Sequence, residues 1–128
     1  MSSITVFFTV ESSPVSSFNM TLFLPEHRNS HMISTALGGF AGYTGWYDVA
    51  LLAHYGFASL STDTGHLDVE TADWALENPE GIIDWAYRAQ HESVLLARTI
   101  VERYHGCPPK FSYYTGCSNG GRQGLKIV

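Results

Sequence analysis

The segment that decides the fold of this chain is residues 111–121, FSYYTGCSNGG. Its first half is rich in strand-forming residues and predicts a β-strand, which we expect near the centre of a sheet. A G-x-S-x-G pattern with Ser118 in the middle follows at once, and residues 120–128 are the expected helix. A tight turn from strand to helix presents a serine as a nucleophile. We therefore predict that Ser118 is catalytic; the alternative is a glycine-rich turn with a solvated serine.

A second glycine-rich segment lies earlier in the chain. Residues 31–36 (HMISTA) predict a short strand, and GGFAG follows at residues 38–42. In α/β-hydrolases such a loop supplies one backbone N–H of the oxyanion hole, and the residue after the nucleophile supplies the other. These roles fall to Gly39, with Gly38 as the alternative, and to Asn119. A strand-to-helix turn that merely needs positive φ is the competing interpretation of this loop.

Strands and helices alternate along the rest of the chain. Further strands are predicted at residues 17–24 and 57–61, and a helix at 48–55. The longest helix begins at the Asn78 cap and ends at Gly106, whereas residues 1–10 predict only a poor strand or a ragged start. Such alternation favours the α/β class, with a mostly parallel sheet and crossover helices in one domain over residues 1–128.

The composition restricts the possible partners. The formal net charge is −5 and no basic run is present, which argues against a nucleic acid partner. No segment reaches the roughly 20 apolar residues of a membrane span, and the N-terminus has no recognisable signal peptide. Cys107 and Cys117 lack metal-site spacing, so no metal or cofactor is expected within this chain. A strand between the two cysteines would also keep them too far apart to form a disulfide.

Several stretches resemble one known family, that of the tannases and feruloyl esterases. They are GGFAG at residues 38–42, STDTGH at 61–66, WALENP at 74–79, IIDWAYRA at 82–89 and YYTGCSNGGRQG at 113–124. The likeness runs from about Ser17 to the C-terminus, and the last block is the most specific. It implies a partial α/β-hydrolase domain in a secreted serine esterase. Such an enzyme cleaves phenolic acid esters, for example feruloyl or galloyl esters, through an acyl-serine intermediate.

The resemblance also implies features that lie outside this sequence. In the family the cysteine before the nucleophile, here Cys117, is linked to a cysteine beside the catalytic histidine. A lid domain that binds substrate and a calcium ion is expected beyond residue 128. The triad order is serine, acid, histidine, yet the residues after Ser118 include neither an acid nor a histidine. We therefore expect an N-terminal fragment that is essentially inactive alone; the alternative is a catalytically dead module that retains a phenolic-ligand pocket.

His66 is the one residue that could be proposed as a replacement base. It follows the predicted strand at residues 57–61 and could lie at the same sheet edge as Ser118. It precedes the serine in the chain, however, and the resemblance places its segment in the floor or a loop of the pocket. We interpret His66 as structural or substrate-lining.

Overall fold

The chain forms a mixed sheet flanked by helices. In the computed structural model, which describes residues 2–128, the five strands lie in the order β1-β2-β4-β3-β5. β3 pairs in parallel with both β4 and β5, whereas β2 pairs antiparallel with β1 and with β4. The parallel sheet predicted from the sequence is thus the β4-β3-β5 half. The strands are β1 (Ser3–Ser13), β2 (Ser16–Pro25), β3 (His31–Ala36), β4 (Ala58–Thr62) and β5 (Phe111–Gly116).

β1 is longer and more regular than the sequence analysis predicted. It forms an antiparallel hairpin with β2 along nearly its whole length. Val6, Phe8 and Val10 alternate along the strand and pack against the hydrophobic core. This period of two is the pattern of a half-buried strand, and the residues between them, Phe7 and Thr9, are exposed.

The helices begin and end close to the predicted positions. They are α1 (Trp46–His54), α2 (Pro79–Ile83), α3 (Ala89–His105) and α4 (Asn119–Ile127). The Asn78 side chain accepts a hydrogen bond from the Gly81 N–H at 3.0 Å, and Gly106 ends α3 with φ of 77°. The predicted long helix is therefore confirmed in extent. Between α2 and α3, however, its backbone widens into a π-helical segment, Asp84–Arg88, which the sequence analysis did not predict.

The two faces of the sheet are covered by different helices. On β4, Leu60 faces α3 within the core, while the Ser59 hydroxyl on the opposite face donates to the Val49 carbonyl of α1 at 2.7 Å. Because side chains alternate along a strand, one strand anchors a helix on each face. The buried core comprises Phe18, Met20, Leu22, Leu24, Met32, Ala58, Leu60, Ala89, Ala97 and Val101.

The strand that leads to Ser118 lies at an edge of the sheet. β5 pairs only with β3 among the strands of residues 2–128, so the expectation of a central strand is wrong for this chain. Phe111 and Tyr113 on β5 remain about half exposed. An edge strand presents unpaired backbone groups and uncovered side chains.

Candidate active site

Ser118 lies in the sharp turn between β5 and α4, as the sequence predicts. Its φ of 54° and ψ of −118° are unusual for a residue with a side chain, and the residue is exposed. Such a conformation costs about 1–3 kcal/mol and persists only where surrounding contacts hold it. Here the Gly120 N–H donates to the Cys117 carbonyl at 2.9 Å, and the Arg122 N–H donates to the Ser118 carbonyl at 3.1 Å. These bonds close the turn and start the helix.

Both glycines of the G-x-S-x-G pattern are required by close backbone contacts. A Cβ atom on Gly120 would lie 2.3 Å from the carbonyl oxygen of Ala36, at the end of β3. A Cβ on Gly116 would lie 2.7 Å from the carbonyl carbon of Gly120. The elbow therefore packs directly on the neighbouring strand, which leaves no room for larger residues.

The side chain of Tyr114 packs against the first turns of α4. Its hydroxyl donates to the Gly120 carbonyl, and its ring lies where a Cβ on Gly124 would come within 2.3 Å. Burial raises the pKa of Tyr114 to about 12, so the hydroxyl stays protonated and remains a donor. The strand before Ser118 thus also fixes the helix after it.

The glycine-rich loop after β3 approaches Ser118 at Gly38. A Cβ on Gly38 would lie 3.6 Å from the Ser118 Cβ, whereas the nearest neighbour of a Cβ on Gly39 is the Val69 carbonyl, at 3.2 Å. No acceptor is assigned, within the described residues, to the backbone N–H of Gly38, Gly39 or Asn119. The predicted approach of the two loops is therefore present. Gly38, the alternative residue, makes the direct contact.

A second loop holds the glycine-rich loop in place. A Cβ on Gly42 would lie 2.2 Å from the Asp68 carbonyl oxygen, and the Phe40 N–H donates to the Val69 carbonyl at 3.4 Å. The Asp68 carboxylate closes its own turn by accepting hydrogen bonds from the Thr71 hydroxyl and from two backbone N–H groups. These bonds, that from the Thr71 hydroxyl above all, hold the pKa of Asp68 at about 2. Sequence analysis missed this support, although an aspartate three residues before a threonine is a turn signal.

His66 belongs to an aromatic cluster and not to a catalytic pair. Its ring stacks on Trp74 with centroids 3.9 Å apart, and Phe40 lies within 6.2 Å of both Trp74 and Trp85. Both His66 nitrogens are buried without a hydrogen-bond partner. No histidine of residues 2–128 is hydrogen bonded to the Ser118 hydroxyl. These contacts favour the structural interpretation of His66.

The burial of His66 predicts a pH dependence of stability. Burial lowers the pKa of His66 below its ordinary 6.5. The unfolded chain then binds more protons in acid, so the free energy of unfolding should fall as the pH drops below about 6.5. Urea titrations at about pH 7.5 and about pH 5.5 should show this loss, and His66→Phe, which keeps an aromatic ring on Trp74, should reduce it.

His54 and His105 provide the comparison for this experiment. His54 is exposed, and His54→Gln is the matched control variant. Burial, together with the Arg28 charge, also lowers the pKa of His105, so part of the slope should survive in His66→Phe. An identical slope in His66→Phe and the parent chain would contradict the buried, neutral state of His66.

The two cysteines are both free and exposed, which confirms that Cys107 and Cys117 do not pair with each other. Cys117 and Gly38 line a groove of about 390 Å³ that lies between α1 and the ends of β3 and β5.

Within residues 2–128, no group of three or more histidine, cysteine, aspartate or glutamate side chains is placed to hold a metal ion. In the same range, no helix has the length and apolar character needed to span a membrane.

Comparison with known proteins places this geometry in a family. The family model "Tannase and feruloyl esterase" matches residues 4–128. A probable feruloyl esterase B-1 from Neosartorya fischeri is 38% identical over 123 residues, which are 96% of this chain and 23% of that protein. The feruloyl esterase B of Aspergillus niger is 38% identical over 106 residues, 83% of this chain and 20% of its own length. The likeness therefore begins at residue 4, well before the predicted start near Ser17, because β1 belongs to the same sheet.

Solved structures agree with the sequence comparison. The crystal structure of feruloyl esterase B from Aspergillus oryzae superposes with a TM-score of 0.92 at 34% identity, over 97% of this chain and 25% of that one. The tannin acyl hydrolase of Aspergillus niger gives a TM-score of 0.72 at 24% identity, over 95% of this chain and 24% of that one, and supports the fold alone. The predicted partial α/β-hydrolase fold is thereby confirmed. This chain spans about a quarter of the length of these relatives, and it belongs to the tannase and feruloyl esterase family.

Proposed function

We propose that this chain carries the nucleophile of a serine carboxylic-ester hydrolase that cleaves phenolic acid esters. The observation that supports this most strongly is the geometry of Ser118. The residue is exposed in a strained turn, and the Gly38 backbone lies against it. Membership of the tannase and feruloyl esterase family supports feruloyl or galloyl esters as the substrate class.

The proposed reaction passes through a tetrahedral intermediate. The Ser118 hydroxyl loses its proton to a histidine base and its oxygen bonds to the ester carbonyl carbon. The carbonyl oxygen becomes an oxyanion, which accepts hydrogen bonds from the N–H of Asn119 and of Gly39 or Gly38. The carbon–oxygen bond to the alcohol then breaks, the base returns its proton to the alcohol, and water releases the phenolic acid from the acyl-serine.

The contact of Gly38 with Ser118 favours the first glycine of the loop as a partner of the nucleophile. Gly39 adopts a φ of 61°, which is easily reached only by glycine and turns its peptide plane sharply. Both N–H groups lack an acceptor among residues 2–128, so either can serve the oxyanion. Asn119, as the first residue of α4, also directs its N–H out of the helix N-terminus, where negative charge is favoured.

The acid and base are proposed to come from outside residues 1–128. The relatives are about four times as long as the matched region, and the triad order of the fold puts both groups after the nucleophile.

Export from the cell and a disulfide from Cys117 to a cysteine beside the catalytic histidine are likewise proposals from the family. The calcium ion that the family implies does not fit residues 2–128, which contain no metal-holding cluster. Its proposed place is the lid domain.

We expect the chain alone to hydrolyse methyl ferulate no faster than its Ser118→Ala variant. Without a histidine beside it, the serine is not activated, and only about 10³–10⁴-fold catalysis over water survives the loss of a triad member. In a protein extended by the reading frame after residue 128, Ser118→Ala should reduce kcat by about 10⁴-fold or more. Release of ferulate, followed by chromatography, measures both effects.

Ser112→Ala on the exposed face of β5 is the matched control and should leave turnover unchanged. Robust turnover by the chain alone, abolished by Ser118→Ala, would show a complete site within these residues and would make His66 the general base. Ferulate binding without turnover in the extended protein would instead favour a dead module with a ligand pocket. An extended enzyme indifferent to Ser118→Ala would refute the nucleophile assignment.

A further inference from the structure

Arg122 makes four contacts that converge on two segments. Its Nε donates to the Asn119 Oδ1 at 3.1 Å, and its Nη2 donates to the same oxygen. Its Nη1 donates to the Ala86 carbonyl at 3.1 Å, and its guanidinium carbon lies 4.4 Å from the centre of the Trp85 ring. One side chain therefore ties the residue after the nucleophile to the π-helical segment Asp84–Arg88.

The π-helical segment is the docking partner of the first turn of α4. Besides the Ala86 carbonyl, the Trp85 carbonyl accepts a hydrogen bond from the Gln123 Nε2 at 2.6 Å. Two successive carbonyls thus accept from two successive side chains of α4. A single π-helical turn within an α-helix commonly occurs at functional sites, because it redirects backbone groups that a regular helix would keep in its own ladder.

The chemistry of the guanidinium fixes the orientation of Asn119. Arginine carries only donors, so Asn119 must present its amide oxygen, and its Nδ2 is then left buried without a partner. The two hydrogen bonds from the guanidinium to this one oxygen also restrict rotation of the Asn119 side chain. Because Asn119 is the first residue of α4, restriction of its side chain restricts the direction of its backbone N–H.

We propose that Arg122 is a positioning residue, which holds Asn119 and its backbone N–H in place by docking the start of α4 on the π-helical segment. The inference rests on the proposed function, since it gives the Asn119 N–H the role of oxyanion donor. Lysine cannot replace the planar fork, which makes the three hydrogen bonds and the cation–π contact with Trp85 at once.

The same segment also contacts the other half of the proposed oxyanion hole. The rings of Trp85 and Phe40 lie 6.0 Å apart, and Phe40 follows Gly38 and Gly39 in the glycine-rich loop. Arg122 and Phe40 therefore pack on the same tryptophan. Trp85 thus contacts both segments that would supply the oxyanion donors.

The test is NMR relaxation of the 128-residue chain. In the parent chain we expect a backbone order parameter of about 0.85 for Asn119, and in Arg122→Met a value below about 0.6. The two side-chain amide protons of Asn119 should shift towards the values of a solvated asparagine in the same variant. Lys126→Met is the matched control: Lys126 is also on α4 and lies 5.2 Å from the Tyr87 ring of the same segment, but it does not bond Asn119.

Arg122→Lys keeps the positive charge, and it tests the positioning role of Arg122 if Arg122→Met fails to fold. A folded Arg122→Lys chain with a mobile Asn119 supports the proposal, and one with a parent-like Asn119 overturns it. Equal order parameters in Arg122→Met, Lys126→Met and the parent chain would also overturn it. The Ser118→Ala turnover assay is independent of these measurements, so failure of the positioning role and failure of the esterase function are distinguishable.

Discussion

Replacing Gly120 with alanine is expected to reduce the free energy of unfolding by about 3 kcal/mol or more. The added methyl group would lie 2.3 Å from the carbonyl oxygen and 2.8 Å from the carbonyl carbon of Ala36, both of which are backbone atoms. No side-chain rotation can relieve this overlap, so α4 must move away from β3. Urea denaturation followed by circular dichroism measures the loss, and the turn that holds Ser118 should open with it.

Gly121→Ala is the matched control because it adds the same methyl group one residue later. Its Cβ would meet nothing closer than the Gly116 carbonyl oxygen, at 3.5 Å, which is an ordinary contact. Alanine is also the better helix former by up to about 1 kcal/mol, so this variant should be as stable as the parent or slightly more stable. Similar stabilities for Gly120→Ala and Gly121→Ala would show that the elbow does not pack on β3 as described.

Replacing Asp84 with alanine is expected to destabilise the chain by about 3–5 kcal/mol. Asp84 is fully buried and accepts hydrogen bonds from the Ser12 and Ser16 hydroxyls, at 2.7 and 2.5 Å, and from the Arg88 Nε at 2.6 Å. Alanine would leave the mostly buried Arg88 charge without this partner and the Ser16 hydroxyl without its acceptor, while the Ser12 hydroxyl would keep only the Ser16 carbonyl at 3.2 Å. Since Ser12 and Ser16 flank the turn between β1 and β2, we expect the hairpin to detach first.

Glu80→Ala separates the buried charge from an ordinary ion pair on the same arginine. Glu80 contacts the Arg88 Nη1 at 2.7 Å, but its side chain is 30% exposed, so its removal should cost about 1 kcal/mol or less. Chemical denaturation of the two variants in parallel provides the comparison. Equal losses would show that burial of Asp84 adds nothing and that the network does not anchor the hairpin.

The aromatic cluster supports the glycine-rich loop after β3. Phe40, Trp74 and Trp85 come from the glycine-rich loop, from a short 3₁₀ turn and from the π-helical segment. Their rings pack together independently of the open side of the sheet. Large buried rings supply much of the contact area in such clusters. The proposed oxyanion loop is thus supported from within residues 2–128.

The elements of the fold could be predicted from the sequence because their signals are local. β3 begins and ends at the predicted residues, and the Asn78 cap and Gly106 mark the outer ends of the long helix. The π-helical segment could not be predicted, because apolar residues continue at helical spacing through residues 82–89. A π-helical turn holds one more residue than an α-helical turn. When packing against a distant segment causes this insertion, as α4 packs here, the local sequence shows no recognisable pattern for it.

The sequence by itself determined the order of the elements and the family and predicted Ser118 as the nucleophile, since each depends on residues that are neighbours in the chain. Only the tertiary structure decided that Gly38 contacts Ser118, that Arg122 links Asn119 to the π-helical segment, and that the N-terminal hairpin completes the sheet. These contacts join residues that are far apart in the chain. Their geometry depends on how strands and helices pack, and local periodicity carries no information about the distance between two such loops.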